Sequence, residues 1–290
     1  MTHLSPRAMA DTPGPALFSS VAPPPLSSTL KPMHTPDPDT RLATFSALKP
    51  SGRKVVMLTA ADYPTARLLD ESGVDLILVG DSLGMVALGY PDTVDVTLAD
   101  MLHHTRAVRR GVTRALVGSD LPWHTYQTPD DALATARALM DAGADAVKLE
   151  GGTAVLPQVQ AIIGAGIPFI GHIGMLPQSV REEGGYKKKG KSGEEADRLI
   201  ADARALDAAG AIAIVIEGTI PAVARDITAA VRCPTIGIGA GPHCDGQILV
   251  TADLIGIFPW FRPPSARARA DVASDILRAA REFSATVRGH

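Results

Sequence analysis

Five ionisable residues end or occupy short apolar runs along the chain, and their types point to metal-assisted carbon chemistry. Asp81 follows LILVG, Asp120 follows ALVGS, Glu150 follows AVKL and Glu217 follows AIAIVI, while His172 lies inside PFIGHI. Lys148 stands two residues before Glu150 and is the only lysine between Lys54 and Lys187. Side chains alternate faces along a strand. Ala213, Val215 and Glu217 therefore share one face and Ile212, Ile214 and Ile216 the other. The same parity sets Lys148 and Glu150 together, with Val147 and Leu149 opposite.

Carboxylates without a Cys or multiple-His cluster suit a hard cation, Mg2+ or Mn2+, rather than zinc. An ion held only by oxygens keeps open positions for a chelating substrate. A 2-oxo acid fits, with one carboxylate and one keto oxygen, and the metal would polarise its ketone toward an enolate. The proton α to the ketone needs a base. Glu217, on a separate run among Ile and Val, is the candidate, because desolvation raises a carboxyl's pKa toward useful values.

Each residue also has a plain structural reading. One Asp after a strand serves as a helix N-cap, and one strand His as a satisfied core group. GIGAG (237–241) reads equally as an anion cradle or as close strand–helix packing. The set is harder to dismiss than its members, since buried charges pair or coordinate metal.

These residues must be positioned by the elements that carry them. Apolar runs at Val55–Ala60, Leu76–Gly80, Ala115–Ser119, Ala146–Leu149, Pro168–Ile173, Ile212–Ile216, Thr235–Ile238 and, more weakly, Leu254–Ile257 read as eight strands. Helical stretches alternate with them. Thr97 with Asp100 reads as a capping box on a helix stopping near Gly111, and Thr128-Pro129 with Asp131 opens another that stops at Gly143. A last helix is expected over about 267–284, closing the outer ring or packing on a neighbouring subunit. Eightfold alternation implies a parallel (β/α)8 TIM barrel as one domain over 39–290, whose C-terminal strand ends converge on one pocket. An open doubly wound sheet is the alternative.

Composition agrees with that class. The chain has 290 residues, 46% hydrophobic and only 4% aromatic, so its core is aliphatic. A net charge of −3 leaves no basic surplus for nucleic acid or an acidic membrane, and no apolar run is long enough to span a bilayer. Cys233 and Cys244 read as reduced thiols of a cytoplasmic protein. Residues 1–38, rich in Pro, Ser and Thr, read as a disordered arm. A transit peptide, or a true start at Met33, are further readings of it.

Eight motifs in order carry a resemblance: LTAADYPTA (58–66), VGDSLGMV (79–86), HHTRAVRRG (103–111), DLPW (120–123), AGADAVKLEGG (142–152), GHIGMLPQSV (171–180), GGYKKKGK (184–191) and IGIGAGPHCDGQILV (236–250). Together, from about residue 40 to 285, they resemble the 3-methyl-2-oxobutanoate hydroxymethyltransferase family, the ketopantoate-forming enzymes of pantothenate synthesis. The resemblance implies a TIM barrel, a homodecamer and one Mg2+ per subunit. It places Asp81, Asp120 and Glu150 around the metal and Asp81, Ser82, Asp120 and Lys148 around the 2-oxo acid. It makes Glu217 the proton acceptor, sets His172 near the substrate, and names 5,10-methylenetetrahydrofolate as one-carbon donor.

The chain departs from the family's pattern in two motifs. Ala61 stands where TAYDY has its Tyr, so an aromatic contact is lost. Lys188 and Lys189 stand where an apolar residue and Gln follow GGYK, in a loop expected to cover the site. Three rivals remain: a phosphoenolpyruvate mutase or isocitrate lyase-like Mg2+ enzyme, a Schiff-base aldolase through Lys148, and a non-catalytic assembly or binding protein on the same scaffold. The first generally needs a cysteine-bearing loop, which neither Cys supplies.

Overall fold

In the computed structural model, residues 37–261 and 263–289 are described. In chain order the elements are α1 (Pro38–Ser46), β1 (Val55–Thr59), α2 (Tyr63–Ser72), β2 (Leu76–Val79), α3 (Leu83–Val86), α4 (Leu98–Gly111), β3 (Leu116–Asp120), α5 (Pro129–Asp141), β4 (Ala146–Lys148), α6 (Leu156–Gly164), β5 (Phe169–Gly174), α7 (Val180–Glu183), α8 (Gly193–Ala209), β6 (Ala213–Glu217), α9 (Pro221–Ala230), β7 (Thr235–Ile238), β8 (Gly246–Leu249), α10 (Thr251–Ile255) and α11 (Val272–Arg288). The strands pair in parallel in sequence order and close, β8 against β1. This is the (β/α)8 barrel expected from the alternation.

Strand parity partitions the core. Ile214, Ile216, Val147 and Leu149 join the layer between strands and helices, while Ala146, Ala213, Val215, Leu78 and Ile248 fill the barrel interior. Ile212 departs from the expectation: it lies just ahead of β6 and packs beside the interior cluster, not the helix layer. The barrel floor is closed by Phe45 of α1 and by Leu48, both buried. Arg41 fixes that helix. Its guanidinium grips the buried Asp145 carboxylate bidentately at 2.7 and 2.8 Å and donates to the Ala115 carbonyl, while Arg109 reaches Asp145 from α4 at 2.9 Å. Such paired geometry is what makes a buried ion pair tolerable.

Both expected capping boxes are present, at Thr97/Asp100 and Thr128/Asp131. Each contributes about 1 kcal/mol to its helix. Two expectations need correction. The eighth strand is Gly246–Leu249, and residues 254–257 instead end α10 and turn at Gly256. Only seven residues separate β7 from β8 and none forms a helix, so the alternation that marks the other strands is missing there. Gly246 suits that place because a Cβ would meet the Val55 carbonyl at 2.4 Å. The last helix starts later, at Val272, where Asp271 caps it, and none of its residues is buried. Of the expected arm, residues 1–36 lie outside the described residues. Asp37 and Pro38, also assigned to it, are the cap and first residue of α1.

Candidate active site

The strand C-termini bring every expected site residue to one end of the barrel. A chamber of about 90 Å³ is lined by Asp81, Ser82, Asp120, Lys148, Glu150, His172 and Glu217, with Thr59, Thr93 and Pro177. Register explains the meeting of the first pair, since Asp120 lies directly opposite Lys148. Lys148 Nζ is 3.1 Å from Asp120 Oδ1 and 3.2 Å from His172 Nδ1. His172 Nε2 is 3.2 Å from Glu217 Oε2, and its Nδ1 is 3.5 Å from Glu150 Oε1. The Asp81 amide donates to Asp120 Oδ2 at 3.1 Å. The N-cap reading of the carboxylates fails: none of Asp81, Asp120 and Glu150 caps a helix, and Ser82, the residue before α3, makes no capping bond.

Burial sets the charge states. It pushes Asp81 up to about 7, reinforced by Asp120 and opposed by Lys148. Burial raises Glu150 well above the carboxylate range, with Asp81 adding to it, and lifts Glu217 to about 7 against the pull of Lys148. For Lys148 burial acts against the ammonium, but Asp120, Glu150 and Asp81 outweigh it and hold the amine firmly protonated. Burial, and then Lys148, drive His172 well below its usual value, so the imidazole is neutral and its carboxylate contacts are not ion pairs. With the Lys148 ammonium donating to Nδ1, the ring proton falls on Nε2, the nitrogen facing Glu217.

The residues fit a divalent cation. Three carboxylates face one ammonium, and Asp120 Oδ1 is buried without accepting a well-formed hydrogen bond. Among the described residues no three His, Cys, Asp or Glu side chains are gathered closely enough to hold a metal ion by themselves, so an ion here would take part of its shell from water or substrate.

Sequence reasoning missed Gln178, 2% exposed, in the turn after β5. Its amide nitrogen donates to Asp81 Oδ2 at 2.7 Å and to the Leu121 carbonyl at 3.0 Å. Its backbone N–H donates to Glu150 Oε2 at 3.0 Å, and Tyr126 donates to its side-chain oxygen. One uncharged residue thus orients two of the three carboxylates. The only signal for it was its place in the GHIGMLPQSV motif.

The GGYKKKGK segment runs from the end of β6 toward α3. Lys189 pairs its backbone with Gly218 and Ile220 beside Glu217, and its ammonium meets Glu183 at 2.7 Å. Across the mouth, the Tyr186 hydroxyl approaches Met85 of α3. The departure at Ala61 lies on the wall of a second cavity of about 140 Å³, with Leu83, Val86 and Ile255. The anion reading of GIGAG does not hold: the loop leads into β8 rather than a helix, and a Cβ on Gly241 would meet Pro221 of α9 at 2.7 Å. Cys233 and Cys244 precede β7 and β8, at the opposite end of the barrel.

Comparison with known proteins identifies the family. Residues 39–290 match the family model described as ketopantoate hydroxymethyltransferase. A 3-methyl-2-oxobutanoate hydroxymethyltransferase of Moorella thermoacetica is 50% identical over 85% of this chain and 93% of its own length. That of Pyrobaculum arsenaticum is 51% identical over 87% and 95%. Among solved structures, a phosphonopyruvate hydrolase complexed with oxalate and Mg++ superposes with a TM-score of 0.59 at 15% identity, covering 86% of this chain and 87% of that one. A phosphoenolpyruvate phosphomutase from Streptomyces platensis subsp. rosaceus gives 0.59 at 16%, over 86% and 88%. At such identities those two share the fold alone. The half-identical relatives and the family model reach further, and the chain belongs to the ketopantoate hydroxymethyltransferase family, an enzyme of the transferase class.

Proposed function

We propose that the protein transfers a hydroxymethyl group from 5,10-methylenetetrahydrofolate to 3-methyl-2-oxobutanoate, with uptake of one water, giving 2-dehydropantoate and tetrahydrofolate in pantothenate synthesis. The observation that carries this reading is the convergence of Asp81, Asp120, Lys148 and Glu150 with a separate, raised Glu217 in one small chamber. Asp81, Asp120 and Glu150 would hold Mg2+, which when bound supplies the positive charge that polarises the ketone and favours the enolate.

The chain's own groups do the rest. Lys148 and Ser82 face the anionic substrate, and the protonated state of Lys148 suits charge pairing rather than the free amine a Schiff base needs. Glu217 Oε2 takes the C3 proton, with the neutral His172 ring packed beside it at 3.2 Å. Water adds to the donor's methylene carbon and its C–N bonds break, releasing tetrahydrofolate and the carbon at the formaldehyde level. The exposed C3 pair attacks that carbon, whose oxygen takes up a proton to become the new hydroxyl. The loop from Tyr186 to Lys189 limits water at the mouth. The test is NMR detection of 2-dehydropantoate from both substrates with Mg2+.

The metal assignment makes its own prediction. The folded pKa values of Asp81 and Glu150 lie above their unfolded values, so the fold favours their protonated forms. In metal-free protein their contribution to stability is full below the ordinary carboxylate range and is lost as pH rises through their raised values. Metal binding needs the ionised forms. Mg2+ is therefore expected to raise Tm more at pH 8 than at pH 5 in scanning fluorimetry. Equal shifts at both pH values would contradict the assignment.

A homodecamer in the cytoplasm, as the resemblance implies, belongs to the same proposal. Its support is the exposed stripe Ile276, Leu277, Phe283 and Val287 on α11, with Trp260 nearby in sequence. A monomer in sedimentation analysis would remove it. Among the described residues no helix is long and apolar enough to cross a membrane.

A further inference from the structure

Thr93 lies in the loop between α3 and α4, lines the chamber with Asp81, Ser82 and Lys148, and is 2% exposed. Its hydroxyl is buried and has no hydrogen-bond partner. A buried hydroxyl left unpaired costs free energy, and native structures rarely keep one without a use. The loop around it is held from across the mouth. Arg181 of α7 donates to Asp92 at 2.8 and 2.9 Å and to Asp95 at 2.6 and 3.1 Å, gripping the residues on either side of Thr93. Within the loop, Asp92 accepts from the Val94 amide and the Thr93 carbonyl from the Val96 amide, which fixes the backbone that aims the hydroxyl.

We propose that Thr93 is a substrate-binding residue whose hydroxyl donates to the carboxylate of the 2-oxo acid, and that Arg181 is the positioning residue that holds its loop in place. The assignment rests on the proposed function for the identity of the acid. The chemistry is complementary: a carboxylate offers only acceptors, and the Thr93 hydroxyl has one proton to give. The placement is consistent too. Thr93 shares the segment after β2 with Asp81 and Ser82, leaving the opposite wall, β6 with Glu217, for the C3 end of the substrate.

Thr93→Val keeps the shape and removes the hydroxyl. It is expected to raise KM for 3-methyl-2-oxobutanoate by about tenfold to a hundredfold, the usual loss for a hydrogen bond to a charged group, with kcat changed much less. Its Tm should equal or exceed the parent's, because the lost hydroxyl had no partner in the protein. A merely structural Thr93 would give the reverse, a lower Tm with KM intact. Thr93→Ser should recover most of the affinity. Arg181→Gln should raise KM in the parent yet add little in Thr93→Val, since both act through one contact. An unchanged KM in Thr93→Val, or a rise that Thr93→Ser does not recover, overturns the contact. Fully additive effects overturn the role of Arg181. A parent without turnover would refute the proposed reaction instead. Calorimetric binding of the 2-oxo acid with Mg2+ to parent and Thr93→Val would then still read the contact, equal affinity overturning it.

Discussion

Replacing Glu217 with glutamine is expected to slow C3 proton exchange of 3-methyl-2-oxobutanoate by about 10²- to 10⁴-fold, the range typical of a lost general base. The amide fills the same space, so the barrel and the three-carboxylate cluster stay intact. Binding of the 2-oxo acid with Mg2+, read by calorimetry, should change little. The wild-type rate should also rise with pH through about 7, because Glu217 must be ionised to accept the proton and burial holds it protonated below that point. Glu217 suits the task because it stands apart from the carboxylates around Asp120. Its side chain is 18% exposed, and the His172 ring stands between it and Glu150, 3.2 Å from the one and 3.5 Å from the other. Exchange in Glu217→Gln at the parent's rate would move the base elsewhere.

Lys148→Met should produce the second large effect. Lys148 is the one cation among Asp81, Asp120 and Glu150, all buried. Removing it leaves those carboxylates uncompensated, and breaking a buried pair in this way typically costs about 3–5 kcal/mol. Urea unfolding of the metal-free variant should show that loss. Adding Asp120→Asn in the same chain should return part of it by removing a charge. Activity should fall with the loss of the ammonium that faces the substrate. Unaltered stability would mean the cluster is already neutralised by protons. A covalent adduct on Lys148 after borohydride treatment with substrate would favour the Schiff-base rival.

How much of this was legible in the sequence depended on periodicity and charge. Lys148 and Glu150 could be set on the barrel axis, and Val147 and Leu149 behind them, from alternation alone. A single carboxylate at a strand end can cap a helix, but several at corresponding strand ends must pair or hold a cation when buried, so Asp81, Asp120 and Glu217 were visible as a set. The eighth strand was not, because GQIL follows β7 after a short loop with no helix to mark it. Gln178 and Thr93 were missed for a different reason. Both are uncharged and sit in loops, where neither strand parity nor helical spacing assigns a direction. Their roles appear only when the turn after β5 and the loop before α4 are brought over the same chamber. Ile212 shows the limit of parity itself, which holds within a strand and lapses one residue before it.

The departures from the family's pattern sort in the same way. Lys189 is tied down by its backbone to Gly218 and Ile220 and by its ammonium to Glu183. Lys188 is exposed.

The most direct test of the central claim is proton NMR of 3-methyl-2-oxobutanoate with the protein and Mg2+ in deuterated water, before and after 5,10-methylenetetrahydrofolate is added. Loss of the C3 proton signal without the folate, followed by the new hydroxymethyl signal of 2-dehydropantoate with it, is the predicted result. A folded, Mg2+-loaded protein that gives neither would contradict it.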